Sequence, residues 1–431
     1  MIRVLALLAA LILALPAHAV TVERVVSPGG IEAWLVEDHA NPIIALELSF
    51  RGGAASEPAT KAGLATLMAS LLDEGAGPYQ SQDFQARLED QAIHLSFTAG
   101  KDSLRGHVKT LSSRKDEAFR LLGLALTQPR FDAEPLARMR NQLLANLARE
   151  LQSPEAVAGR EWFQRAFAGH PYALPANGTP ETLKAITRAD IKDFAARAIA
   201  RDTLVVGVVG DITPDELARQ LDAVFGPLPA QARLAAVPET TPLADGATIV
   251  IPRDLPQSVA VFGGAGIKRG DPDWYAGYVL NYILGGGGFS ARLTEEVREK
   301  RGLAYSVYSY LGPMDRAAVI SGGVATKAER MAESLAIIRA EWRRLRDEGA
   351  TGEELADAKT YLTGSFALQL SSTEAIASTL VAMQEHRLGI DYLEKRNALI
   401  EAVTMADLAR VARRLLDPDH LTAVVVGRPL P

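Results

Sequence analysis

The chain repeats itself, and that repeat limits the folds open to it. Ala185-Ile186-Thr187-Arg188-Ala189-Asp190-Ile191 returns as Ala402-Val403-Thr404-Met405-Ala406-Asp407-Leu408, an offset of 217 residues. The same offset relates Asp202-Thr203-Leu204 to Asp419-His420-Leu421 and Val208-Val209-Gly210 to Val425-Val426-Gly427. Thr187 and Thr404 read as helix N-caps, because a threonine hydroxyl can accept from the unpaired N–H groups of a first turn. The runs 205–209 and 422–426 are β-branched and each precedes a glycine, which predicts buried strands. A looser correspondence at an offset of 214 relates the starts of the halves. Residues 42–50 and 258–266 are strand-like, and Ala62-Gly63 and Ala276-Gly277 open helical patterns over 64–72 and 278–284. Duplication of one unit explains both sets of matches.

Between the halves, 226–246 carries Pro227, Pro229, Pro238 and Pro242 with little periodicity and reads as a linker. Longer amphipathic helices are predicted over 134–151, 155–167, 327–347 and 353–368. Strands and helices do not alternate strictly, so the expected class is α+β: two homologous domains, each an antiparallel-rich sheet packed by helices. The expected bounds are 20–229 and 247–431, joined by 230–246.

The 431 residues suit two cores better than one. A formal charge of −6 without a basic cluster excludes nucleic acid as the main partner and disfavours an anionic membrane surface. Residues 1–19 are set apart from the fold. Arg3 precedes an apolar run over 4–15, and Pro16-Ala17-His18-Ala19 presents small residues at the positions a signal peptidase reads. A run of that length is too short for the roughly 30 Å of hydrocarbon a spanning helix must cross. The reading is a cleaved export signal, no stable membrane insertion, a mature charge of about −7 and a periplasmic or equivalent compartment. Cysteine is absent, which excludes disulfides, thiolate metal sites and a lipid-modified cysteine.

The seven histidines, at 18, 39, 94, 107, 170, 386 and 420, include no two at the three- or four-residue spacing that places two ligands on one helix face. Glu385-His386 is an adjacent pair whose side chains diverge on a helix. Four consecutive glycines, 285–288, lack the lysine of a phosphate-binding loop and the context of a dinucleotide fingerprint. No G-x-S-x-G nucleophile elbow occurs. In the segment that follows the glycines, Ser290 could cap a helix, Glu295 and Glu296 suit its early turns, Lys300 and Arg301 its end, and Gly302 its stop. A strand over 303–310 would then place Tyr305 on one face with Leu303 and Val307.

Gly63-Leu64-Ala65-Thr66-Leu67-Met68-Ala69-Ser70-Leu71-Leu72 resembles the helix that bears the inverted zinc motif H-x-x-E-H in the family of pitrilysin, insulin-degrading enzyme and mitochondrial processing peptidase. Thr66 and Ser70 stand where that family has its histidine ligands, and Ala69 where it has its general base. Counting back from Pro154 puts Asn146 at the third ligand, a glutamate in the family. Hydroxyls and a carboxamide are poor zinc ligands and alanine moves no proton, so the resemblance implies no metal in this chain and no hydrolysis by it alone. Gly169-His170-Pro171-Tyr172 and Asn177-Gly178-Thr179-Pro180-Glu181 are similar to the loop that follows the metal region in the same family.

The resemblance further implies that Arg298 and Tyr305, seven residues apart, reach from the second half toward a bound peptide. Arginine offers a fork of donors to carbonyls, and a tyrosine hydroxyl can donate to a developing oxyanion. Residues read without the family would make Arg298 a basic residue at a helix end and Tyr305 a strand aromatic. Two-chain members pair a subunit bearing H-x-x-E-H with one lacking it, forming a clamshell around an unfolded peptide. The expectation is a zinc-less partner subunit, half of such a clamshell, with zinc and base in the partner. The alternative is a non-enzymatic peptide-binding or scaffold subunit, similar to the core subunits of the respiratory cytochrome complex.

Overall fold

The computed structural model describes residues 21–428; the expected export segment, 1–19, lies outside them. Eleven strands are assigned among the described residues: β1 (Glu23–Val26), β2 (Glu32–Glu37), β3 (Ile43–Arg51), β4 (His94–Ala99), β5 (Ser103–Leu111), β6 (Leu204–Gly210), β7 (Thr248–Pro252), β8 (Gln257–Ala265), β9 (Ala304–Pro313), β10 (Ala318–Lys327) and β11 (Thr422–Gly427). They form two sheets, β1-β2-β6-β3-β5-β4 and β7-β11-β8-β10-β9. Apart from β1, which pairs with β2, the two orders correspond strand for strand. In each, one parallel pair (β2 with β6, β7 with β11) is followed by antiparallel neighbours. The α+β class and the strands read from both halves are as expected.

The repeated Thr-x-x-Asp turns behave as their spacing predicts. Thr187 and Thr404 each cap a helix, Arg188–Ala198 and Met405–Leu415, and the aspartate three residues on returns a bond to the cap's own N–H. Gly226 to Gly246 contains no strand, and between the helix Pro214–Phe225 and β7 the chain runs without regular structure. Several helices are shorter than their apolar periodicity suggests. That over 64–72 is α-helical only across Leu64–Ala69 and then tightens into i+3 turns. The one expected over 278–284 is Trp274–Asn281, continued by a π turn at Tyr282–Gly286. The one over 353–368 ends at Gly364 and gives way to a 3-10 segment, Ser365–Leu370.

Each sheet packs one face against helices of its own half. The other face is covered by a helix from the opposite half. Pro154–Ala166 lies on β8 and β11, and Thr373–Glu385 lies on β3 and β6. Serine caps both, Ser153 and Ser372. Gly207 of β6 permits the second crossing, since a Cβ there would stand 2.7 Å from the Ala377 carbonyl oxygen. Polar contacts fix the joint: the Tyr172 hydroxyl donates to Asp102 (2.6 Å) and accepts from the Arg316 N–H (3.0 Å), while Arg51 pairs with Asp315 (3.0 Å). Among the described residues no helix is long and apolar enough to cross a membrane.

Candidate functional site

The helix Leu64–Ala69 begins at Gly63, whose φ of +93° suits glycine, and its first N–H groups are received by a carboxylate. Glu57, 7% exposed, accepts from the Gly63 and Ala65 N–H groups at 2.7 and 2.8 Å. Every polar side chain at the positions expected to correspond to metal ligands is turned to local structure. Thr66 donates to the Ala176 carbonyl (2.8 Å), tying the loop before Gly178 to the helix, and Ser70 donates to the Leu67 carbonyl (2.9 Å). Ala69 is buried in the core. Asn146 sits on the neighbouring helix Ala133–Glu150, exposed, accepting from Arg149; it makes no hydrogen bond to Thr66 or Ser70. These four residues do not fit zinc. Among the described residues no three of His, Cys, Asp and Glu are grouped so as to hold a metal ion.

Arg298 and Tyr305 do come together. The Arg298 guanidinium lies 4.8 Å from the Tyr305 ring centre and 4.6 Å from that of Phe289, between two aromatic faces, with Glu299 3.2 Å from its Nε. Tyr305 and Phe289 are 83% and 70% exposed. Two sequence expectations fail here for local reasons. Ser290 caps nothing: its hydroxyl donates to the Gly287 carbonyl, and the segment carrying Arg298 is a π-helix, Thr294–Glu299, stopped at Gly302 with φ +59°. Tyr305 does not share a face with Leu303 and Val307, which are buried. On β10, Ala325 opposes Ser306 and the next residue, Thr326, opposes Ala304, so Tyr305 is the extra residue of a β-bulge and turns outward. Phe289 was not singled out from the sequence; a lone phenylalanine after four glycines gives no sign that it will stack on a residue nine positions on. Neither Arg298 nor Tyr305 lines the two clefts, of about 680 and 730 Å³, at the joint between the halves. The pair stands on open surface.

The family profile described as the peptidase M16 inactive domain matches residues 185–362. The non-peptidase homolog YmxG of Helicobacter pylori is 31% identical over 345 residues, 80% of this chain and 79% of that protein. The chain belongs to the M16 peptidase family. An uncharacterized zinc protease of Mycobacterium leprae is 27% identical over 95% of this chain and 92% of its own. The crystal structure of a peptidase M16 inactive domain from Pseudomonas fluorescens superposes with a TM-score of 0.89 at 30% identity, covering 95% of this chain and 98% of that one. The resemblance read from the helix at 63–72 is therefore to the right family, and the chain is an M16 member of the inactive type.

In this M16 chain the buried acid at the stripped helix is Glu57. Burial pushes its carboxyl up to about 7, against the backbone donors and the charge of Lys101, which hold it down. Lys101 is lowered to about 8, again by burial, and donates to the Tyr172 and Leu174 carbonyls. A carboxyl raised on folding binds its proton more tightly in the native state, so its contribution to stability is fullest at low pH. That contribution falls as pH rises from about 4.5 to about 7. Glu57→Gln keeps one carbonyl acceptor and cannot ionise. It should remove on the order of 2 kcal/mol of pH dependence from that window. Urea midpoints of both proteins at pH 5 and pH 7.5 test this; parallel changes in the two would assign the dependence to other groups.

Proposed function

We propose that this chain is the zinc-less partner subunit of an exported two-chain metallopeptidase, supplying half of a peptide chamber and two donors to the peptide. One observation carries the reading: the helix that bears the metal in active relatives has been converted to backbone ties, while Arg298 and Tyr305 remain stacked and open to solvent. A chamber wall made by two chains is open surface on each until they meet. The partner would bear H-x-x-E-H and hold the zinc. In the complex, Arg298 would donate to carbonyls of an extended, unfolded peptide, and the Tyr305 hydroxyl to the oxygen that becomes negative as the peptide carbon turns tetrahedral. The matching strand orders support descent of the halves, about 20–229 and 247–431, from one duplicated unit. The charge pattern and the segment over 1–19 support a periplasmic location, with the mature chain starting at Val20.

The purified chain should carry no stoichiometric zinc by metal analysis and should not cut peptide. Co-expressed with an H-x-x-E-H member, it should yield a heterodimer that cleaves a quenched unfolded peptide and loses activity to a chelator. One bound zinc per chain, or a partner equally active without this subunit, would overturn the reading; the second result would favour the scaffold role.

A further inference from the structure

The second cleft at the joint, about 730 Å³, opens beside the C-terminal end of the crossing helix Thr373–Glu385 and reaches β2 and the start of β6. Its walls mix two chemistries. Ile31, Trp34, Leu204 and Met383 give an apolar side, and Arg201 and Arg387 supply two cations. Neither guanidinium has a hydrogen-bonding or ion-pairing partner among the described residues, and Nε of Arg201 is wholly buried without one. The acids along the same cleft are engaged elsewhere. Glu32 accepts from Arg24 (2.7 Å) and from the Trp34 indole (3.0 Å), and Asp202 accepts from the Ala232 N–H (2.9 Å). In the adjoining cleft, which Arg387 also lines, Arg51 pairs with Asp315, Arg105 pairs with Glu385, and Lys101 donates to the Tyr172 and Leu174 carbonyls. Arg201 and Arg387 are thus the cations of these two clefts whose guanidiniums meet no acceptor among the described residues.

An arginine that lines a cleft without an acceptor offers a free fork of donors, and that fork is shaped for a carboxylate. We infer that this cleft binds a carboxylate carried on an apolar body, as at the C-terminus of a peptide with an aliphatic last residue or on a free aliphatic acid. The two guanidiniums take the carboxylate and the Trp34–Met383 side takes the hydrocarbon. The site is separate from the Arg298 and Tyr305 pair and does not rest on the subunit role proposed above.

Arg387 offers an unusually clean control. It occupies the left-handed position of a helix C-cap, φ +54°, with the Leu388 N–H bonded to the Met383 carbonyl and its own N–H to that of Gln384. Glycine is the ordinary residue there, so Arg387→Gly removes the guanidinium and leaves the turn unstrained. Calorimetric titration of the purified chain would use three probes: an N-acetylated tripeptide ending in leucine carboxylate, the same tripeptide as its C-terminal amide, and octanoate. The acid should bind saturably and the amide at least tenfold more weakly. Arg201→Gln and Arg387→Gly should each weaken the acid about tenfold, the latter with an unchanged or raised melting temperature. Octanoate matching the peptide supports the site and assigns it to a free acid; octanoate tenfold weaker supports it and assigns it to a peptide terminus. Acid and amide binding alike, no saturable binding of any probe at millimolar concentration, or Arg387→Gly retaining full affinity would overturn it.

Discussion

In the two-chain peptidase proposed above, Tyr305→Phe should lower kcat roughly a hundredfold while leaving KM within about twofold. The substitution removes one hydroxyl and nothing else that the fold uses. Tyr305 is 83% exposed, its ring stays against the Arg298 guanidinium, and the bulge that turns it outward is a property of the β9–β10 backbone. An interaction made only as the oxyanion forms appears in kcat; one made equally to the bound peptide appears in KM. Arg298→Lys should divide differently. Lysine keeps the charge and loses both the fork and the planar stack between Phe289 and Tyr305, so KM should rise with a smaller fall in kcat. Tyr310→Phe, on the same strand and 45% exposed, is the control and should change neither. An unchanged kcat for Tyr305→Phe in an active heterodimer would leave Tyr305 a surface aromatic.

The local setting of this pair explains why its two residues can be singled out in the sequence and its geometry cannot. The seven-residue spacing and the flanking Gly302 survive in sequence, but whether a residue before a strand alternates or bulges depends on the neighbouring strand's register. Here the shift occurs between Ala325 and Thr326, twenty residues away. The π turns at Tyr282–Gly286 and Thr294–Glu299 likewise have no signature in apolar spacing, which for one such turn resembles that of an α-helix. By contrast, the Thr187 and Thr404 caps, the two corresponding strands they lead to and the absence of metal-binding side chains at Thr66, Ala69 and Ser70 are all local facts. They depend on residues within a few positions of one another, and the fold keeps them.

The exchange of helices between the halves was the largest feature left unread. A sequence sign for it exists: Ser153-Pro154-Glu155 and Ser372-Thr373-Glu374 start equivalent helices at an offset of 219. Nothing in either stretch says which sheet the helix will cover. Both have an apolar face suited to any sheet, and the choice is made by long-range packing. A boundary drawn in the proline-rich linker is therefore a boundary of the chain and of the sheets, whereas each core borrows one wall from across it.

That borrowing sets the expected result for Trp162→Ala. The indole is 1% exposed on the helix Pro154–Ala166, and its cluster includes Val319, Val424 and Val426 of the second sheet; its Nε1–H donates to the Thr422 carbonyl at 3.2 Å. Truncation should cost about 3–5 kcal/mol, the range for a large aromatic lost from a packed interior, and Trp162→Phe about 1–2 kcal/mol. The informative quantity is where the loss is felt. If each half closed its own core, a first-half substitution would melt the first sheet and spare the second. With reciprocal cover, lifting Pro154–Ala166 bares β8 and β11, and lifting Thr373–Glu385 bares β3 and β6, where Leu380 is fully buried beside Gly207. Hydrogen exchange on Trp162→Ala should show protection falling in β8 and β11 as much as in the helix itself, within one cooperative unfolding transition. Loss confined to residues before 226, or two resolved transitions in the parent chain, would mean that the crossing helices decorate the sheets without closing them.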